Sequence, residues 1–154
     1  MRSSFSREST QERVRQSAEP EALRRGRDFH RRVQAAWAAE AEGDVRIEAL
    51  FGSSGWAPYR SGRVDILVDA AESLACIVEI KATDWDDVCV ENRRRLLPRH
   101  RRQLWSLVEQ YARDHESDVA AAMVYPTRPR TPGLGESIEG FLGDWGILVE
   151  WFVD

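Results

Sequence analysis

Two short, β-branched runs separated by a brief turn constrain the fold more than any other feature of the sequence. The first, Arg63-Val64-Asp65-Ile66-Leu67-Val68, follows Gly62; the second, 75–82, reads Ala-Cys-Ile-Val-Glu-Ile-Lys-Ala and follows a turn expected over 69–73. Runs of this length and composition predict strands, and their spacing predicts an antiparallel hairpin. Side chains alternate faces along a strand, so Glu79 and Lys81 project together while Val78 and Ile80 turn into apolar packing. A charged pair on an otherwise apolar strand is costly unless it is exposed, paired or metal-bound. Hairpin pairing brings Asp65 beside Glu79, so two carboxylates and an ammonium are expected together at one end of the hairpin.

The flanking segments predict one α/β layer fold around a mixed sheet. Residues 1–19 are polar, with Phe5 and Val14 as their large apolar anchors, and read as an N-terminal arm; the domain follows over 20–154. Leu23, Phe29, Val33 and Trp37 lie on one face of a helix from Glu21 to about Glu42, ended by Gly43. Residues 45–51 alternate as a strand, and 52–58 form a loop carrying Trp56. Residues 84–97 read as irregular and charged, with Trp85 in a loop. Pro98 is expected to open a helix to about Asp114, with Leu104, Leu107, Val108 and Tyr111 on one stripe. An apolar strand over 119–125 is expected to be buried on both faces. A proline-rich loop over 126–135, a short helix over 136–142 and a strand over 147–153 complete the reading.

At 154 residues the chain is large enough for one ordinary core and too small for two. Two cysteines, Cys76 and Cys89, make neither a disulfide framework nor a CxxC pair. The opening residues contain no apolar signal region, and the longest apolar run falls far short of the roughly 20 residues that span a membrane. A cytoplasmic protein with no membrane partner is therefore expected. The net charge of -4 speaks against a simple polyanion binder, yet its distribution is uneven. Six Arg fall between Arg93 and Arg102, with His100 among them. Such clustering predicts a basic face on an acidic protein, although a solvated helix surface has the same composition. Of 22 basic residues, Lys81 alone is lysine. A compact ammonium differs in geometry and tunability from the guanidinium fork used everywhere else in this chain.

In order, Gly26-Arg27-Asp28-Phe29-His30 lies on the first predicted helix, Gly62 to Asp65 on a strand, Glu79-Ile80-Lys81 on the next, and Gln103 on the later helix. This series resembles the PD-(D/E)XK nuclease superfamily, and within it the RecB-like branch, whose motifs are GxxxH, GxxD, (D/E)xK and QxxxY. The resemblance covers about residues 22–113. It implies a restriction-endonuclease-like mixed β-sheet flanked by helices, and hydrolysis of DNA phosphodiester bonds with Mg²⁺ or Mn²⁺ in defence, repair or as a toxin domain. Asp65, Glu79 and the Ile80 carbonyl are implied metal ligands, with His30 as an additional one. Lys81 is implied to act on the attacking water or the transition state, and Gln103 to orient the water or touch the scissile strand.

The fourth motif is partial: Leu107 stands at the expected tyrosine position, and Tyr111 follows one turn later. Glu48 is the substitute carboxylate if His30 does not serve. Arg93, Arg94, Arg95, Arg99, Arg101 and Arg102 are expected along the path of a phosphate backbone, giving salt-sensitive affinity without base readout. Trp56 and Trp85 are candidates for stacking on single-stranded bases. DNA is the expected partner, with a homodimer or a larger nuclease complex needed for cutting both strands. The competing expectation is a catalytically inactive DNA-binding or assembly module of the same fold.

Overall fold

A computed structural model of the chain describes residues 19–51, 62–71 and 74–153. Its elements run α1 (Glu21–Glu40), β1 (Asp44–Phe51), β2 (Gly62–Ala71), β3 (Leu74–Ile80), a single 3-10 turn (Trp85–Asp87), α2 (Val90–His115), β4 (Asp118–Tyr125), α3 (Leu134–Gly143) and β5 (Ile147–Trp151). The five strands form one mixed sheet in sequential order. β1, β2 and β3 make an antiparallel meander, whereas β3–β4 and β4–β5 are parallel. Parallel neighbours require crossovers, and α2 and α3 supply them. The N-terminal arm and the loop carrying Trp56 lie outside the described residues.

Two apolar clusters sandwich the sheet. One face joins Val64, Leu67, Ala75, Ile77 and Met123 to Leu104, Val108 and Tyr111 of α2 and Ile138 and Leu142 of α3. The other joins Ile66, Val68, Val78, Ile80, Ala122 and Val124 to Phe29 and Val33 of α1. Alternation along β3 sends Ile77 one way and Val78 and Ile80 the other, as the period of two demands. Along β4, Ala121 to Tyr125 are buried on both faces, while the first three residues of the strand are not fully buried.

Several boundaries differ from the sequence expectation. β2 continues to Ala71 through the segment expected to turn at Asp69. α2 begins at Val90, eight residues before Pro98, which lies inside the helix. Arginine is a good helix former, so the Arg93–Arg95 run extends the helix rather than interrupting it. Proline cannot donate to the carbonyl four residues earlier, which belongs to exposed Arg94 and can be solvated instead. Trp85 is fully buried, its ring packed edge-on against His100 and Tyr125. It is a core residue and not a base-stacking platform.

Candidate active site

The C-terminal end of β3 collects side chains from α1, β2, β3 and α2. Hydrogen-bonded pairing aligns Ile66 with Val78, so Asp65 stands across from Glu79 one step further along the hairpin. Asp65 Oδ2 accepts the backbone N–H of Ile80 at 2.8 Å, which pins the aspartate against the adjacent strand. Its other oxygen, Oδ1, lies 3.7 Å from His30 Nδ1 on α1. Gln34, one helical turn after His30, donates from Nε2 to the Asp65 carbonyl at 3.3 Å. Gln34 is buried and ties α1 to β2.

Lys81 joins the third and fourth elements. Its Nζ donates to Glu79 Oε1 at 2.7 Å and to Gln103 Oε1 at 2.9 Å. Its backbone N–H donates to the Val124 carbonyl at 2.9 Å, continuing the β3–β4 ladder past the end of β3 and fixing where the side chain departs. An ammonium has three hydrogens, so two fixed acceptors leave one N–H for a further partner. The side chains of Asp65, Glu79 and Lys81 retain only 18%, 13% and 19% of their exposure. Burial, and then the adjacent Asp65 charge, push the Glu79 carboxyl above its ordinary range, while the Lys81 ammonium opposes that shift. The cluster therefore holds like charges together at a cost the protein does not fully offset.

Two carboxylates and the Ile80 carbonyl make an all-oxygen donor set of the kind Mg²⁺ or Mn²⁺ takes while retaining waters. The elevated Glu79 carboxyl fits a cation, because positive charge between Asp65 and Glu79 relieves the repulsion. Among the described residues, no three His, Cys, Asp or Glu side chains gather in a metal-holding group. A site here therefore relies on backbone and water oxygens beside its two carboxylates.

Other sequence candidates are placed elsewhere. Glu48 has a left-handed backbone (φ 51°) and an exposed side chain paired with Arg63. Tyr111 is buried at the other end of the hairpin, where its hydroxyl donates to Asp69 Oδ1 at 3.1 Å. Gln103 thus has no tyrosine partner from the incomplete fourth motif.

The six arginines between Arg93 and Arg102 divide into three groups. Arg95, Arg99 and Arg102 are exposed at i, i+4, i+7 spacing, and Gln103 borders their stripe. Arg93 is turned inward, donating to the Trp85 carbonyl at 3.2 Å. Arg101 lies over the Trp145 ring, 4.0 Å from its centroid, and Arg94 shares that far side of the helix. No helix among the described residues is long and apolar enough to cross a membrane. No protein-family model matches the chain, and no curated protein matches it in sequence.

Proposed function

We propose that this chain is a Mg²⁺- or Mn²⁺-dependent deoxyribonuclease with the restriction-endonuclease-like fold of the PD-(D/E)XK superfamily, closest to its RecB-like branch. The observation that carries the reading is the convergence of His30, Asp65, Glu79, Lys81 and Gln103 from four elements at one end of the sheet. The order β-hairpin, helix, parallel strand supports the same reading.

Asp65, Glu79 and the Ile80 carbonyl would hold the cation, with His30 beside Asp65. A divalent ion there supplies charge stabilisation for phosphoryl oxygens and lowers the pKa of water. The protein's own groups orient and exclude. Asp65 is fixed by the Ile80 N–H, and Glu79 by the Lys81 ammonium. The remaining Lys81 N–H donates to the attacking water or to a phosphoryl oxygen as negative charge grows there. Gln103 limits the conformations of Lys81 by accepting a second hydrogen bond from its ammonium. In the hydrolysis a water oxygen bonds to phosphorus, one ester P–O bond breaks, and the departing oxygen acquires a proton.

The Arg95, Arg99 and Arg102 stripe beside Gln103 supplies sequence-independent backbone attraction. One such site cuts one strand, so double-strand cleavage requires a dimer, a larger complex or successive encounters. The test uses labelled linear and covalently closed circular DNA with Mg²⁺, Mn²⁺ or EDTA. Cleavage with either metal, absent in EDTA and in Lys81→Ala, is expected; cutting of the circle identifies internal cleavage. Metal-dependent DNA binding without cleavage by the parent chain would replace this reading with an inactive binding module.

A further inference from the structure

The two edges of the sheet are finished differently. At β1 the edge is interrupted by the left-handed backbone of Glu48 and carries ion pairs from Arg46 to Asp69 and from Glu48 to Arg63. Charges and irregularity of this kind block further strand pairing. β5 is the opposite edge and pairs with β4 alone. Among the described residues nothing pairs with its outer hydrogen-bonding side, and Leu148 and the following Val153 are 73% and 86% exposed.

A trough runs beside this edge, between α1 and the end of β5. One part is a cleft of about 440 Å³ formed by Trp37, Glu40 and Ala41 against Glu150, Phe152 and Val153. The adjoining recess of about 310 Å³ shares Phe152 and Val153 and reaches Phe29. From Phe29 to Ala41 the helix rises ~18 Å, the length of five or six residues of extended chain. The floor is aromatic, but its charge is one-sided at the wider end. Burial, and then the charge of Glu40, raise the Glu150 carboxyl above its ordinary range. Neither glutamate has a cationic partner among the described residues. At the narrower end Arg128 is already paired with Glu136 and Glu139, and Arg32, which also lines the recess, lies over the Phe152 ring and has a further partner. The unmet charge of the trough is therefore negative.

We infer that the α1–β5 trough is a docking site for an extended segment of a partner protein that pairs with the free edge of β5, sets an Arg or Lys between Glu40 and Glu150, and lays the apolar residues two positions to either side on Trp37 and Phe152. Main-chain pairing gives such a complex its affinity, and the alternating side chains give it its choice of sequence. The cation supplies the charge missing from the cleft, and its aliphatic stem covers aromatic surface. The inference is independent of nuclease activity, because none of these residues belongs to the His30–Asp65–Glu79–Lys81–Gln103 cluster.

The test titrates the full ¹⁵N-labelled chain with the capped peptide Ser-Val-Thr-Arg-Thr-Val-Ser and with its counterpart carrying Glu in place of Arg. The Arg peptide is expected to shift the amides of residues 36–41 and 148–153 and leave those around Lys81 unchanged. The Glu peptide is expected to bind at least tenfold more weakly, and the double variant E40Q/E150Q to weaken the Arg peptide at least tenfold. Equal binding of both peptides, shifts mapping elsewhere, or no binding of the Arg peptide at millimolar concentration would overturn the inference. So would concentration-dependent self-association through β5 that the Arg peptide does not displace, which would make a second copy of the chain the occupant.

Discussion

Asp65 and Asp69 stand four residues apart on β2, yet their surroundings differ in kind: Asp65 meets His30 of α1, and Asp69 meets Tyr111 of α2. Asp69 accepts from Arg46 and from the Tyr111 hydroxyl, so its charge is met by a cation and a buried donor. Asp65 faces Glu79, a second carboxylate, and has the His30 ring 3.7 Å away. Its one short hydrogen bond comes from a backbone amide. One end of the hairpin pairs its carboxylate with a cation and a hydroxyl; at the other, two carboxylates share the single Lys81 ammonium, which contacts Glu79. An unbalanced, partly buried carboxylate pair is the usual physical signature of a working site rather than of a stability device.

That contrast can be broken most severely by exchanging the two aspartates' fates. Asp65→Ala or Glu79→Ala is expected to reduce metal-dependent DNA cleavage by at least about 10²- to 10³-fold while preserving the circular dichroism spectrum. Asp69→Ala is expected to leave cleavage within a few-fold of the parent and to lower the melting temperature. Comparable losses of cleavage at Asp65 and Asp69 would erase the distinction between the two ends.

α2 serves both ends, since Gln103 meets Lys81 and Tyr111 meets Asp69, and His100 anchors the helix just before Gln103. His100 Nδ1 lies 3.0 Å from the Tyr125 hydroxyl, which donates to Met123 Sδ at 2.9 Å. Burial, reinforced by the Lys81 and Arg99 charges, pulls the His100 pKa from 6.5 down to about 4. At His100 the unfolded chain therefore binds more protons than the native one across this interval, and this residue's contribution to stability falls as pH drops from 6.5 towards 4. The loss is about 3 kcal/mol over the interval. Urea denaturation of the parent and of His100→Gln across that range should show the slope in the parent and a weakened slope in the variant.

Lys81 sharpens the comparison at the open end. Lys81→Arg keeps the charge but replaces a compact donor with a planar fork, and about a 10²-fold loss of turnover with little change in DNA affinity is expected. A smaller effect, on binding alone, is expected from the α2 stripe. Replacing Arg95, Arg99 and Arg102 together with Gln should flatten the dependence of log affinity on log salt by about 2 to 3. The same change at Arg94 and Arg101 should alter it less, which fluorescence anisotropy at several salt concentrations would measure. Least of all, Tyr111→Phe removes the donor to Asp69 and should cost about 1 kcal/mol of stability without changing cleavage.

The hairpin and the grouping at its open end were the most legible parts of the sequence. A period of two places Glu79 and Lys81 together, and a short turn leaves little choice of register for Asp65. The start of α2 was harder to read, because Pro98 is as compatible with a first turn as with an interior position whose lost acceptor, the Arg94 carbonyl, faces water. Trp85 was misleading for a related reason. Its neighbours are polar and loop-like, but Asp84 accepts the Asp86 N–H and closes a 3-10 turn that carries the indole into the core. Gln34 could not be singled out from a helix rich in polar residues; only the approach of α1 to β2 gives it a role. The partition of the α2 arginines depended on the helix extending back to Val90, which alone sets which of them share a side with Gln103.

We propose that the Asp65–Glu79 end of the hairpin is built to receive a divalent cation and the Asp69 end is not. Electron paramagnetic resonance titration with Mn²⁺ tests it directly. The parent and Asp69→Asn proteins are expected to bind one Mn²⁺ per chain with similar affinity, and Asp65→Asn and Glu79→Gln to bind at least tenfold more weakly. Indistinguishable Mn²⁺ binding in all four proteins, or no binding by the parent, would contradict it.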